Sequence, residues 1–222
     1  MKIKNIIFDF DGTLVDTADD VVDCLRQAYQ AVLPDRPVDV RPTHIGPQLK
    51  EIIQNITPGL AEDTLKEVMR EFRHRYDNSS YPRTGLRASV AGLLQDLQEG
   101  SVLMFIVTNK PKLATRRILE AQGLDCFRAV ITPDFFPGRR VPKEEMIAYL
   151  IGHYGLDPAE TLMIGDSELD VLAARKNNIK TLALLDGYST PEKVLDSRPE
   201  FQVERVADLR LFVKELLNHG PR

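Results

Sequence analysis

Asp9 and Asp11 stand two residues apart in Asp9-Phe10-Asp11-Gly12-Thr13, directly after an apolar run. In extended chain, residues i and i+2 point the same way, so the two carboxylates share one side. The preceding run, Ile3–Phe8, reads as a buried strand, and open α/β sheets bind ligands beyond the carboxyl ends of their strands. A carboxylate there can act as nucleophile, acid–base group or metal ligand. Gly12 allows a sharp turn and a close approach of backbone to ligand. A solvated Asp-Gly turn is the plain alternative. It would explain one aspartate better than two placed right after a buried strand.

Three further segments repeat the theme. Val107-Thr108-Asn109-Lys110-Pro111 puts a hydroxyl at a strand end before a helix start, which suits a phosphate, or equally plain helix capping by Thr108 or Asn109. Leu162–Ile164 runs into Gly165-Asp166-Ser167-Glu168-Leu169-Asp170, with Asp170 one helical turn beyond Asp166. First-turn acids favoured by the helix dipole account for Glu168, but not for a second Asp at the edge that carries Asp9. Lys143 sits in the first turn of a helix, where a cation is mildly unfavourable, and pairing with neighbouring acids is the alternative reading.

The elements that must position these groups are legible as patterns. Ile3–Phe8, Val102–Val107, Leu162–Ile164 and Ile179–Leu185 are nearly continuous apolar runs, with a weaker candidate at Ala129–Thr132. Such runs fit parallel strands covered on both faces. Helical spacing separates them: Val90, Leu93, Leu94 and Leu97; then Ala114, Ile118 and Leu119; then Met146, Ile147, Leu150 and Ile151; then Leu169, Leu172 and Ala173, with Asn178 as a left-handed cap. Leu209, Phe212, Val213, Leu216 and Leu217 mark a last helix. Alternating strands and helices predict an α/β, doubly wound parallel sheet. The interval from Asp16 to about Tyr81 breaks the rhythm and reads as all-helical, over Val21–Val32, Ile45–Ile56 and Leu60–Tyr76. The expected division is a core of residues 1–15 and 83–222 with an inserted helical cap at 16–82. Hinges fall at Asp16-Thr17 and at Tyr81 to Arg83.

Composition narrows the function classes. A net charge of -4 and the lack of a long Lys/Arg run give no footprint for nucleic acid. The cluster from Arg70 to Arg75 reads as a solvated helix face, with an anionic-ligand contact as the lesser alternative. Two distant cysteines, Cys24 and Cys126, suggest neither a disulfide framework nor a zinc site, and point to a reducing cytoplasm. The opening Met1-Lys2-Ile3-Lys4 leads into an apolar run too short for a signal peptide, and no segment is long enough to span a membrane. Oligomeric state, monomer or homodimer, is left open.

Gathering Asp9, Asp11, Asp166 and Asp170 at one sheet edge has an electrostatic consequence. Each like-charge pair at about 4 Å costs on the order of 4 kcal/mol at an effective dielectric near 20. One lysine cannot offset four carboxylates and an incoming phosphate. A divalent cation can, and an all-oxygen site that keeps waters favours Mg2+.

The ordered set Asp9-x-Asp11-Gly12-Thr13, Thr108, Lys143 and Gly165-Asp166-x-x-x-Asp170 resembles the haloacid dehalogenase (HAD) superfamily of phosphohydrolases, over most of the chain. The helical insert resembles that superfamily's C1-type cap. Ile45-Gly46-Pro47, Thr108-Asn109-Lys110 and Gly187-Tyr188 resemble phosphoglycolate phosphatases. The resemblance implies that Asp9 attacks phosphorus and forms an aspartyl-phosphate, and that Asp11 serves as general acid and then general base. It implies that Thr108, Asn109 and the backbone near Gly12 hold the phosphoryl group, and that Lys143 steadies the charge. Mg2+ would be held by Asp9, the Asp11 carbonyl and Asp166, with Asp170 direct or one shell out. Two departures stand out: Glu144 follows the lysine where proline is common, and Asn177-Asn178 replaces Ala-Gly.

The implied activity is phosphatase action on a small phosphorylated metabolite, phosphoglycolate first. Pyrophosphatase, nucleotidase, sugar-phosphate phosphatase and phosphomutase activities stay open. A phospho-aspartate signalling protein is the alternative from another class; the chain length, the helical insert and Asp11 argue against it. Substrate choice is expected from the loop Arg41 to Lys50, with Arg41, His44, Gln48 and Lys50 as polar candidates against a reading as solvated surface.

Overall fold

In the computed structural model, residues 3–219 are described; Met1, Lys2 and residues 220–222 lie outside them. Strands are β1 (Asn5–Phe8), β2 (Val15–Asp16), β3 (Gly85–Leu86), β4 (Leu103–Val107), β5 (Ala129–Ile131), β6 (Thr161–Gly165), β7 (Lys180–Leu184) and β8 (Phe201–Val203). Helices are α1 (Ala18–Val32), α2 (Leu49–Ile56), α3 (Glu62–Asp77), α4 (Val90–Glu99), α5 (Lys112–Ala121), α6 (Lys143–Tyr154), α7 (Glu168–Lys176), α8 (Pro191–Asp196) and α9 (Val206–His219).

Six strands form one parallel sheet in the order β5-β4-β1-β6-β7-β8. Burial on both faces explains the continuous apolar runs. On one face Ile6, Phe8, Ile106, Ile164 and Leu182 pack against the apolar stripes of α4, α5 and α9. On the other, Ile7, Phe105, Val107 and Met163 pack against Met146, Ile147 and Leu150 of α6 and Ala173 and Ala174 of α7. Strand alternation sends neighbouring residues to opposite layers, so β1 needs apolar residues at successive positions.

Strand β1 is central, between β4 and β6. All three end at the same edge, because Phe8 is in register with Ile106 and with Ile164. Residues 9, 108 and 166 follow at that edge. The order changes direction at β1: the chain goes outward to β4 and β5, then returns to β6 on its other side. A ligand crevice belongs at such a switch point.

The interval 18–77 holds α1, α2 and α3, and α1 packs against α3. Its two ends are held together by an antiparallel pair that the sequence did not reveal, Val15 with Leu86 and Asp16 with Gly85. The edge strand β8 and the short α8 were also not anticipated; each is too short to carry a period. The predicted helix at Ile45–Ile56 begins only at Leu49. Gly46 has φ +120°, and Pro47 disfavours helical backbone in the residue before it, so Ile45 to Gln48 forms a loop. Asn178 takes the left-handed conformation at φ 58°, where Asn is tolerated.

Candidate active site

The strand-end edge brings Asp9, Asp166 and Asp170 together, with one carboxylate oxygen from each within 4.8 Å of the others. All three are buried. Lys143, the first residue of α6, reaches the same point: its Nζ lies 2.9 Å from Asp9 Oδ1 and 2.6 Å from Asp170 Oδ1. The lysine is buried as well, so its unfavourable place at a helix N-terminus is offset by two carboxylates rather than by solvent.

Each carboxylate is fixed by neighbours. The backbone N–H of Asp9 donates to Ile164 O at 2.8 Å, which continues the ladder past the end of β1. Asp166 Oδ1 accepts from Thr13 Oγ1 at 2.9 Å, and its Oδ2 accepts from Tyr188 N at 2.8 Å. Asp170 Oδ2 accepts from Ser167 Oγ at 2.6 Å and Ser167 N at 3.0 Å, closing a capping box at the start of α7. Capping and site roles thus coexist in Asp170, one on each oxygen.

Electrostatics follow from burial. Desolvation pushes Asp9 well above the usual carboxylate range; Lys143 opposes this, and Asp170 and Asp166 reinforce it. Desolvation and then Asp170 push Asp166 up to about 7, against hydrogen bonds from Tyr188 and Thr13. Burial would lower Lys143, but Asp170 and Asp9 outweigh it and hold the ammonium above its ordinary value. The cluster carries three carboxylates against one cation, and that imbalance in a low-dielectric site is what a divalent cation would relieve. The donor set is all oxygen, which fits Mg2+.

The Asp11 side chain stands apart from this triad. Its Oδ1 accepts from Thr17 Oγ1 at 2.6 Å and from Lys110 Nζ at 2.9 Å. Thr108 is buried and its Oγ1 accepts from Lys110 N at 3.1 Å. It does not cap α5, whose N-cap position is Pro111. Asn109 Nδ2 donates to Gly46 O at 3.2 Å, joining the β4 end to the loop before α2.

Gly12 itself is held within its own turn. The Gly12 N–H donates to Val15 O at 2.9 Å, closing the turn, so it is already committed. What the position needs is space: φ is +76°, and a Cβ there would overlap the Asp166 carboxylate. Arg87 donates to the Gly12 carbonyl and pairs with Asp186 at 2.9 Å, which pins the turn from outside.

A cavity of about 230 Å³ opens between α1, α2 and α3 on one side and the ends of β1 and β4 on the other. Asp9, Asp11, Thr108, Asn109 and Lys110 line it from below. Of the four polar candidates in the Arg41–Lys50 loop, Gln48 and Lys50 line it, and Lys50 also pairs with Glu62 at 3.3 Å. Arg41 and His44 do not reach it. Arg41 is turned to Asp39 on an exposed stretch, and His44 Nδ1 accepts from Arg41 N at 3.1 Å.

Several site residues stand in the quoted motifs with no role assigned to them. Lys110 is buried, its Nζ lies over the Tyr76 ring at 4.8 Å, and it holds Asp11. Tyr188 holds Asp166 by its N–H, while its phenol oxygen accepts from Thr17 N at 2.7 Å and donates to Asp16 Oδ1 at 2.8 Å. Thr13 closes the first motif, and its bond to Asp166 is a contact that the motif alone does not give. Cys24 and Cys126 are unpaired, and no helix among the described residues is long and apolar enough to cross a membrane.

Comparison with known proteins agrees with this geometry. The phosphoglycolate phosphatase of Photobacterium profundum is 31% identical over 222 residues, covering 96% of each chain. That of Vibrio vulnificus is 29% identical over 218 residues, covering 94% of this chain and 95% of its own. Among solved structures, a predicted phosphoglycolate phosphatase from Haemophilus somnus superposes with a TM-score of 0.82 at 26% identity, over 96% of this chain and 99% of its own. A predicted phosphatase from Clostridium acetobutylicum shares the fold, with a TM-score of 0.87 at 23% identity, over 97% of this chain and all of its own. The model of the haloacid dehalogenase-like hydrolase family matches residues 6–184, spanning Asp9, Asp11, Thr108, Lys143, Asp166 and Asp170, and the chain belongs to that family.

Proposed function

We propose that this protein is a magnesium-dependent phosphatase that hydrolyses small phosphate monoesters through an aspartyl-phosphate on Asp9, with phosphoglycolate the first substrate to test. The observation that carries the reading is the meeting of Asp9, Asp166, Asp170 and Lys143 at one sheet edge, beside Asp11 and Thr108 in one cavity. Asp9, Asp166 and Asp170 are the side chains that would hold the cation, with the Asp11 carbonyl. When bound, the cation supplies positive charge that lets carboxylates and a phosphoryl group approach one another.

Lys143 donates to Asp9 Oδ1, which leaves Oδ2 as the attacking oxygen. In the first half-reaction this oxygen bonds to phosphorus as the bond from phosphorus to the ester oxygen breaks, and Asp11 gives its proton to that oxygen. In the second, Asp11 takes a proton from water, the water oxygen bonds to phosphorus, and the acyl-phosphate bond to Asp9 breaks. Both contacts of Asp11 fall on Oδ1, so Oδ2 is left for the proton. The Thr108 hydroxyl accepts from Lys110 N and can donate its own hydrogen to the phosphoryl group. Phosphoryl transfer needs alignment and charge stabilisation above all.

Residues 16–82 serve as a cap over the core of 1–15 and 83–222, excluding water from the intermediate. The β2–β3 pair, which joins the two ends of the helical interval, supports this division. The test is phosphate release from p-nitrophenyl phosphate and phosphoglycolate with magnesium or EDTA. Turnover should require magnesium and vanish in Asp9→Asn. A variant that kept its turnover would remove Asp9 from the mechanism, and one phosphate bound per chain without release would mark a signalling protein instead.

A further inference from the structure

Two arginines that line the cavity have no part in the chemistry above. Arg73 comes from α3 and Arg140 from the loop between β5 and α6, so they reach the cavity from the helical interval and from the sheet side. Both are exposed, which places them at its opening. The guanidinium groups nearby in sequence are paired: Arg70 with Glu67, Arg75 with Glu71, Arg139 with Glu145. Arg73 and Arg140 have no carboxylate within 4.0 Å among the described residues.

They share the lining of one cavity. Burial and then Arg73 hold the Arg140 guanidinium below its ordinary value, and Asp134 acts in the opposite sense. Asp77, one turn beyond Arg73, also lines the cavity; burial raises its carboxyl, against Arg73 and Arg117. Two guanidinium groups on the wall of one cavity, neither in an ion pair among the described residues, present positive charge that an anion entering the cavity would meet. Much of the remaining wall is carbon: Val21 of α1, Ile52 of α2, and Met69 and Phe72 on the face of α3 that carries Arg73.

We propose that Arg73 and Arg140 form a second anion subsite of this cavity. Its ligand is a carboxylate or further phosphate, joined by an apolar carbon framework to the phosphoryl group at Asp9. The planar guanidinium fork suits either anion. The identity of the first anion rests on the phosphatase reading; the arginine pair does not.

The test uses two non-hydrolysable ligands of equal size, p-carboxybenzylphosphonate and p-carbamoylbenzylphosphonate, titrated calorimetrically into the full chain with magnesium. The wild type should bind the carboxylate about tenfold more tightly, the low end for hydrogen bonds to a charged group. In Arg73→Gln/Arg140→Gln the ratio of the two affinities should fall to about one, and in Arg73→Lys/Arg140→Lys it should recover in part. Both positions are exposed, and an unchanged melting temperature would show that the variants fold. Equal affinities in the wild type, no binding of either ligand, or a preference that survives the double Gln substitution would overturn the subsite. Turnover of p-nitrophenyl phosphate, which lacks a second anion, decides the phosphatase reading separately. Turnover without the carboxylate preference leaves that reading standing and removes the subsite; the preference without turnover does the reverse.

Discussion

Replacing Lys143 by Met tests the electrostatic core of the site. The methionine side chain is of similar length and apolar, so packing among Met146, Ile147 and their neighbours is largely kept while the charge is lost. Lys143 Nζ makes two ion pairs, at 2.9 Å to Asp9 and 2.6 Å to Asp170, and all three groups are buried. Removing one partner of a buried pair costs roughly 3–5 kcal/mol, because the other charge is left uncompensated. In a chain of this size each kcal/mol moves the melting temperature by about 2–4 °C, so the expected drop is about 6–20 °C. The assay is thermal unfolding at pH 8 in EDTA, where the carboxylates are driven toward ionisation and no cation can substitute. Magnesium should then recover part of the loss, since it binds the folded state only. A drop below about 3 °C in EDTA would refute the claim that the Lys143 charge stabilises this cluster.

The metal-free protein should become more stable as pH falls from 8 toward 5. Asp166 is raised to about 7 in the folded state against 3.8, so the fold binds more protons than the unfolded chain across that window. The destabilisation is full above the folded value and fades below it, so melting temperatures in EDTA should rise on acidification; with saturating magnesium that rise should disappear. A metal-free melting temperature that fell steadily from pH 8 to 5 would contradict the buried-acid account. Gly187→Ala should weaken magnesium affinity at least about tenfold, because a Cβ at 187 would overlap Asp166 and push it aside. A magnesium titration of activity and of melting temperature checks this, and an unchanged midpoint would show that Asp166 can move without loss.

What the sequence made legible follows from local constraint. A strand buried on both faces must be apolar at successive positions, so β1, β4, β6 and β7 announce themselves, and so do the residues that follow them. The chemistry at Asp9, Thr108 and Asp166 is readable because each sits where such a run stops. Lys143 was the weakest signal taken alone, since its meaning lies in two acids that come from β1 and α7. Lys110, Tyr188 and Arg87 were opaque as site residues for the same reason. Each has a bond to a residue at least 75 positions away, Lys110 to Asp11, Tyr188 to Thr17 and Arg87 to Gly12, and no spacing rule reaches that far. The misplaced candidates Arg41 and His44 fail on a local detail, a pairing with Asp39 and a short turn, that only the backbone path decides.

Tyr188 shows how the same edge joins chemistry to motion. Its backbone N–H fixes Asp166 Oδ2, and its phenol engages both Thr17 N and Asp16 Oδ1. Thr17 in turn donates to Asp11 Oδ1. A single loop after β7 therefore touches a carboxylate of the acidic cluster, the start of the helical interval, and, through Thr17, the Asp11 carboxylate. At the proposed hinge, Asp16-Thr17, a turn that carried the Thr17 side chain away would break its bond to Asp11. The Asp11 carboxylate would then lose Thr17 and keep only Lys110. If residues 16–82 move as the proposed cap, that motion is tied through Thr17 to the setting of the Asp11 carboxylate.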